Sequence, residues 1–401
     1  MARALANPTL ISLAAGFVDS ASLPVAETQQ AMGELLASSQ EARQALQYGT
    51  TVGYAPLREA ILQQFLREES PTSSAVTVDR VVLTAGSNQL LHLVAETLLD
   101  PGDIVLCSAP TYFVFLGLLQ NLGVRAVGVE CDEHGMIPER LAEQLEAFRL
   151  RGERERVKAV YLVSYCDNPR GVTLPRERRR MLMETCRADT QGPPLYVIDD
   201  QAYRPLQLAS DPSPSLWHFD TEPTRTIIAG TFSKSFSPGI RVGWGILPAE
   251  LVGPVNHLKG NWDFGSPHLN QHLMHRVLQL GLFEAHVERL RTVYRKKLTA
   301  TLKSLEQSLG SVPGVRWIVP DGGLYVWLEL PESVDTGSHS ALFERAVARG
   351  MLYVPGEHCF AEQGAPRKRN CIRLSFGVPS VEAIQAGVAA LGAAIGDVLA
   401  E

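Results

Sequence analysis

Residues 231–245 read TFSKSFSPGIRVGWG and directly follow a short apolar run at 226–229. A run of that length reads as a buried strand, and the serines, proline and glycine after it read as a loop leaving its carboxyl end. Lys234 lies in that loop among Ser233, Ser235, Ser237 and Gly239, and Arg241 follows seven positions later. A lysine so placed is either a solvated surface charge or an amine held for imine chemistry. The small neighbours leave room for something bulky to reach the amine, and the serines can donate hydrogen bonds to an anion.

Outward from this stretch the chain alternates. Apolar runs at 81–84, 103–107, 124–129, 157–163, 195–198 and 226–229 predict strands. Helices are expected at 88–99, 112–122, 138–148 and 175–186 between them, and a helix begins near Pro56, after the turn residues Gly49 and Gly53. Strands that are apolar throughout and separated by helices predict a mostly parallel sheet covered on both faces. Before them, 25–45 reads as one helix. After Pro267 the pattern changes to a helical stretch over 268–309, strands at 315–318, 324–330, 351–354 and 371–376, and helices at 340–349 and 381–399. The expected organisation is an N-terminal segment at 1–47 that belongs to a small domain and the active-site entrance, a large α/β domain at 48–267, and a connecting helix with a small α+β domain at 268–401.

Composition narrows the function. The 401 residues are 45% hydrophobic and 20% charged, with a net charge of −6, which gives no electrostatic case for nucleic acid or an anionic membrane. The six cysteines lack CxxC spacing and read as reduced thiols. The first twenty residues have a brief apolar stretch interrupted by Pro8 and ended by Asp19, unlike a signal peptide, so a cytoplasmic enzyme is expected. The one charge run, 176–180 (RERRR), is expected to be solvated on a helix. His268, His272 and His275 place imidazoles on one helical face, but no carboxylate or cysteine follows at metal spacing, so no metal site is expected. Gly243-Trp244-Gly245 lacks the third glycine of a dinucleotide fingerprint.

In parallel α/β sheets, ligands bind beyond the carboxyl ends of the strands. Residues 85–89 (AGSNQ) follow the 81–84 run and open a helix, either as a plain start capped by Ser87 or as a phosphate cradle. Tyr112 follows 103–107, Asn168 follows 157–163, Asp199, Asp200 and Tyr203 follow 195–198, and Lys234 and Arg241 follow 226–229. Each has an ordinary structural explanation: a core ring, a turn, a helix cap. Together they match one ligand. Pyridoxal phosphate needs an amine for its aldehyde, an anion for its pyridine nitrogen, donors for its phenolic oxygen, a stacking ring, and a cationic nest for its phosphate.

From Gly16 to the last helix, the motifs YGTTVGYAPLREAI, LTAGSNQLL, DNPRGVTL, IDDQAYRPL, GTFSKSFSPGIRVGWG, DGGLYVWLEL and IRLSFG resemble those of the fold type I, class I/II pyridoxal-phosphate aminotransferases. The similarity is to the branch of 2-aminoadipate and kynurenine aminotransferases and the aminotransferase-like domains of MocR regulators. That resemblance implies a large domain with a mostly parallel seven-stranded sheet between helices, a smaller α+β domain and a homodimer. Lys234 would bind the cofactor aldehyde as a Schiff base and then move the substrate proton. Asp200 would pair with the ring nitrogen, Asn168 and Tyr203 with the phenolic oxygen, and Tyr112 would stack on the ring. Ser87, Asn88, Thr231 or Ser233, and Arg241 would hold the phosphate, and Tyr48 would reach the phosphate of the partner subunit. Arg373 would clamp the substrate α-carboxylate, with Gly16 and Asn168 nearby.

The implied reaction is ping-pong transfer of an amino group between an L-amino acid and a 2-oxo acid, with glutamate and 2-oxoglutarate as one pair. A lyase, decarboxylase or cyclase on the same scaffold is the alternative. A ligand-sensing MocR-like domain is less expected, with fifteen residues ahead of Gly16. The segment GFVDSASLP departs from the pattern: it has Val18 and Ser20 where relatives often have prolines, and no arginine for a second carboxylate. Asp167 and Arg170 also replace the usual Gln and Thr around Asn-Pro, which bears on side-chain specificity.

Overall fold

The computed structural model describes residues 10–69, 76–209, 213–220 and 224–400. The first nine residues of the N-terminal segment, Pro8 among them, lie outside that range. The principal strands of the large sheet are β1 (Val81–Thr84), β2 (Ile104–Ala109), β3 (Arg125–Asp132), β4 (Val157–Val163), β5 (Tyr196–Asp200), β6 (Thr226–Thr231) and β7 (Gly243–Ile246). They lie in the order β3-β2-β4-β5-β6-β7-β1. The run from β3 to β6 is parallel, and β7 is antiparallel to both of its neighbours. The expected seven-stranded sheet is thus extended: two two-residue strands, Gln363–Gly364 and Gly135–Met136, both pair with β3. Alternate residues of β2 enter different cores, Val105 and Cys107 with Ile198 and Ile227, Ile104 and Leu106 with Val160 and Leu162. Each such side chain, fully buried, stabilises the sheet by about 1.5–3 kcal/mol, which is why these strands carry no polar alternation.

Strand β7 was not among the expected strands, because its alternating glycines make no apolar run. Its glycines answer to crowding. A Cβ on Gly243 would sit 2.4 Å from the Gly86 carbonyl carbon, and one on Gly230, across the ladder in β6, would sit 2.2 Å from the Trp244 ring. The helix Ala249–Asp263 was also missed, since Gly253, Pro254 and Gly260 interrupt its pattern. The helix expected over 25–45 is two, Val25–Ala37 and Ser39–Leu46, broken at Ser38, whose hydroxyl accepts from the Glu41 amide at 3.4 Å. The arginine run is not uniformly solvated: Arg179 is wholly buried, its guanidinium 4.1 Å from the Tyr165 ring centre and donating to the Leu174 and Ser164 carbonyls.

A second, four-stranded sheet pairs β8 (Tyr325–Glu329) with β9 (Cys371–Ser375) antiparallel, flanked by Arg316–Trp317 and Val354–Pro355. The helix Val381–Leu399 packs on Leu282–Leu309. Among the described residues it alone is long and apolar enough to cross a membrane, yet Ile384, Val388, Leu391 and Ile395 are fully buried in the core. The N-terminal segment is fastened to this region. Ile11 and Ser12 pair with Met351 and Leu352, the Ser375 amide donates to the Leu13 carbonyl at 2.6 Å, and the Lys297 ammonium meets buried Asp19 at 2.9 Å. These contacts bring residues 14–17 over the strand ends of the large sheet.

Candidate active site

The carboxyl ends of β4, β5 and β6, the start of the helix Ser87–Leu98, the N-terminal segment and the small sheet enclose one cavity of about 290 Å³. Its walls include Gly16, Ser87, Asn88, Tyr112, Asn168, Asp200, Tyr203, Thr231, Ser233, Lys234, Arg241 and Arg373. Every sequence-predicted site residue is therefore gathered here except Tyr48. That ring is 82% exposed, outside the cavity, edge-on to Phe264 with centroids 5.6 Å apart.

One end of the cavity suits an oxyanion. The helix Ser87–Leu98 is preceded by Gly86, not by Ser87, as its N-cap, with φ 88°. A Cβ there would lie 2.7 Å from the Arg241 guanidinium, so only glycine lets that group approach. Ser87 and Asn88 are thus the first helical residues, and their amides belong to the unpaired set at a helix start, where the macrodipole also favours negative charge. Arg241 adopts a left-handed backbone, φ 49° and ψ 50°, a strain of order 1–2 kcal/mol for a non-glycine residue. Its guanidinium donates to the Ala85 carbonyl at 3.1 Å and to Ser233 Oγ at 3.5 Å. The Thr231 hydroxyl bonds Ser233 Oγ at 2.9 Å, completing a cradle of hydroxyls, amides and one cation.

At the centre, Asp200 ends β5 and is 3% exposed. It accepts from the Tyr161 hydroxyl at 3.0 Å and the Ala202 amide at 3.1 Å. Burial outweighs these donors and pushes its carboxyl up to about 6. A carboxylate in that state is stabilised by a positively charged N–H donor, which is what a protonated pyridine offers. The Lys234 ammonium donates to the Gly16 carbonyl at 2.8 Å and makes no ion pair among the described residues. The Tyr112 hydroxyl donates to Asn88 Oδ1 at 3.3 Å, and its side chain lines the cavity. Burial pushes its phenol up to about 12. The donor set fits pyridoxal phosphate at each of its three handles: phosphate, ring nitrogen and aldehyde.

The opposite end is built by the small sheet. Arg373, on β9, is 3% exposed and donates to Asn168 Oδ1 and to the Ala14 carbonyl, both at 2.9 Å. Its Nε is buried without a partner, and its guanidinium lies 4.3 Å from the Tyr325 ring centre and 5.3 Å from that of Phe113. Because arginine can only donate, it fixes the Asn168 oxygen towards itself and leaves the amide hydrogens for the cavity. Tyr203 is 5% exposed, and its hydroxyl lies 3.0 Å from that of Tyr325. Burial pushes the Tyr203 phenol well above its ordinary value, so it remains a protonated donor.

Sequence reasoning missed five participants. Tyr325 lies inside the quoted DGGLYVWLEL motif, but nothing in its spacing aims it at Tyr203. Tyr161 was legible in principle, since a tyrosine in an otherwise apolar buried strand must find a partner for its hydroxyl. Phe17, 48% exposed, lines the cavity from a loop with no periodic signal, and Phe113 and Val114, the latter 41% exposed, line it from the first turn of the helix Phe113–Asn121. Asp167 and Arg170, noted as departures, form a buried ion pair with each other, and Arg170 also donates to the Asp132 carbonyl at 2.7 Å. The histidines expected to bind no metal meet around Tyr54: its ring stacks on His272 at 3.8 Å, and His272 lies 3.0 Å from His268. Burial lowers all three, His272 to about 4, and no group of metal ligands exists among the described residues.

Residues 8–391 match the profile of the family described as aminotransferase class I and II. The aromatic-amino-acid aminotransferase 1 of Thermococcus litoralis is 34% identical over 96% of this chain and 88% of its own length. Among solved structures, a multiple substrate aminotransferase from Thermococcus profundus superposes with a TM-score of 0.90 at 32% identity, over 100% of this chain and 94% of that one. The alpha-aminoadipate aminotransferase of Thermus thermophilus, solved with N-(5'-phosphopyridoxyl)-L-leucine, gives a TM-score of 0.84 at 33% identity, over 100% of this chain and 95% of that one. The fold, the cavity chemistry and these similarities agree, and the chain belongs to the class I and II aminotransferases, enzymes that move amino groups with pyridoxal phosphate.

Proposed function

We propose that this aminotransferase takes the amino group from an L-amino acid with an apolar or aromatic side chain and passes it, in a ping-pong cycle, to a 2-oxo acid such as 2-oxoglutarate. The observation that carries this reading is the composition of the cavity wall. Among the described residues its cations are Lys234, Arg241 and Arg373, and each has a use already: amine exchange, phosphate, and α-carboxylate. What remains for the substrate side chain is Phe17, Phe113, Val114 and Tyr325. Phe17 and Val114 are half-exposed, so the distal carboxylate of 2-oxoglutarate can stay in water at the mouth.

Pyridoxal phosphate supplies an aldehyde that takes up the amine and a ring that accepts the electron pair left when Cα loses its proton. The chain does the rest. The Ser87 and Asn88 amides, Thr231, Ser233 and Arg241 would anchor the phosphate. Asp200 would hold the ring nitrogen protonated, its charge favoured by that cation where burial alone would remove it. Tyr203 and the Asn168 amide would donate to the phenolic oxygen, and Tyr112 would stack on the ring. Arg373 orients the substrate by its carboxylate, using the Nε that has no protein partner. Lys234 Nζ would be the amine that holds the aldehyde and the base that takes the proton from the substrate Cα.

Tyr48 is proposed to serve the phosphate of a second subunit, making a homodimer with shared sites. Its exposure, and that of Leu46, Trp262 and Phe264, supports a surface meant to be covered. A cytoplasmic location is proposed on the six free thiols. The test is a half-reaction: the loaded enzyme is mixed with leucine, phenylalanine, 2-aminoadipate or glutamate, and the absorbance change and the matching 2-oxo acid are measured. Leucine and phenylalanine should convert the cofactor stoichiometrically and faster than 2-aminoadipate. A preference for the acidic donor sinks the side-chain reading, and no conversion with any donor sinks transamination.

A further inference from the structure

Tyr325 opens β8 in the small sheet, yet its hydroxyl crosses to the large-sheet side and lies 3.0 Å from the hydroxyl of Tyr203. Both side chains are buried, at 2% and 5% exposure. The backbone at residue 16 holds the Tyr325 hydroxyl so closely that a Cβ there would be 2.3 Å away. Among the described residues no other hydrogen-bond partner exists for either hydroxyl.

The two phenols carry two protons and share one hydrogen bond. If Tyr203 donates, the Tyr325 proton has no acceptor, and Tyr203 turns only lone pairs towards the cavity. If Tyr325 donates, the Tyr203 proton is left pointing into the cavity. An oxyanion in the cavity selects the second arrangement, because only that one satisfies both protons. A hydroxyl that accepts one hydrogen bond is also a stronger donor of the next, through mutual polarisation in a low-dielectric site.

We infer that Tyr325 is a positioning residue that acts through Tyr203, orienting its proton towards the phenolic oxygen of the cofactor and strengthening the bond it makes there. The inference rests on the proposed placement of Tyr203 at that oxygen. Its consequence is electronic. A donor on the phenolic oxygen draws off density that would otherwise hold the neighbouring imine proton, so each donor lost raises the pH at which that proton leaves.

The geometry also ties the tuning to substrate. Tyr325 is paired with Ser375 in the strand that carries Arg373, and the Arg373 guanidinium stacks on the Tyr325 ring. The residue that would read the α-carboxylate and the residue that sets the Tyr203 proton therefore lie in contact on paired strands of one sheet.

The experiment is a pH titration of the cofactor absorption band in wild-type holoenzyme, Tyr203→Phe, Tyr325→Phe and the double variant. Tyr325→Phe keeps the ring under Arg373 and should raise the midpoint by roughly half a pH unit to one unit, about three- to tenfold in proton affinity. Tyr203→Phe should raise it further, and the double variant should match Tyr203→Phe alone, because Tyr325 has nothing to act through once that hydroxyl is gone. If Tyr203→Phe shifts the midpoint and Tyr325→Phe does not, the inference fails while the placement of Tyr203 stands. Additive shifts in the double variant overturn action through Tyr203. An unmoved midpoint in Tyr203→Phe removes the placement itself, and the inference with it.

Discussion

The two ends of the cavity are built in opposite ways. The floor, with Ser87, Asp200, Lys234 and Arg241, comes from residues that end or follow strands of one sheet, so its geometry is set by the hydrogen-bonded ladder from β5 through β6 and β7 to β1. The roof, with Gly16, Tyr325 and Arg373, comes from three segments far apart in the chain, held by the Ser375–Leu13 and Lys297–Asp19 contacts and the Arg373–Ala14 bond. On the proposed roles, the floor would bind and activate the cofactor. Only the roof can choose and orient what reacts with it. Damage to the floor should therefore appear in chemistry or cofactor affinity, and damage to the roof in KM and stability.

The largest effect is expected at the floor. Lys234→Ala should lower turnover by at least about 10⁴-fold, because it removes both the covalent amine and the proton carrier, with the far-ultraviolet circular dichroism spectrum unchanged. Any amino donor turned over at near wild-type rate by this variant would break the division between the two ends.

Next comes the strap that holds the roof down. Lys297→Met leaves Asp19 buried without its cation and should cost about 3–5 kcal/mol in chemical denaturation. It should also raise KM while leaving cofactor affinity at the wild-type value. A parallel loss of cofactor affinity would show that the roof and the floor are one unit.

Arg373→Ala should reduce kcat/KM by about 10²- to 10³-fold, mainly through KM, since a buried cation and its partners are left unmatched. Arg241→Ala supplies the contrast: weaker retention of pyridoxal phosphate on dialysis, with KM for the amino donor little changed at saturating cofactor. Equal KM effects in the two variants would remove the distinction.

The smallest effect has the opposite sign. The Asp200 carboxyl, ordinarily near 3.8, is pushed up to about 6 in the folded chain, mostly by burial. The stability it contributes is present below pH 4 and lost as pH rises through about 6, so the cofactor-free protein carries a buried charge at pH 8. Cofactor-free Asp200→Asn should therefore be more stable than wild type by about 2–3 kcal/mol at pH 8, and no more stable at pH 4. With the cofactor bound the advantage should vanish. A variant that is destabilised at pH 8 without cofactor would mean that Tyr161 and Ala202 already satisfy the carboxylate.

The same contrast governs how much could be read in advance. The β1–β6 strands and the ligand-bearing residues after them were legible because a strand buried on both faces must be apolar, and the residues that follow it are freed from that rule. β7 was not, because its glycines serve contacts with Gly86 and with β6 that no local pattern records. The helix Ala249–Asp263 was hidden by Pro254 and two glycines that tertiary packing tolerates. Arg179 looked like one more member of a solvated run, and only the Tyr165 ring and two carbonyls give it a reason to be buried.

By itself, then, the sequence named the groups that line the cavity and are proposed to hold the cofactor: an amine at Lys234, a carboxylate at Asp200, a guanidinium at Arg241 and a glycine-opened helix start. Each is stated by residue type and by position after a strand. The tertiary structure alone decided that Tyr325 meets Tyr203, that Arg373 fixes Asn168, and that Phe17 and Val114 form the wall a substrate side chain would meet. Those are contacts between distant segments, and their partners follow from how two sheets and an N-terminal segment pack, which no local spacing encodes.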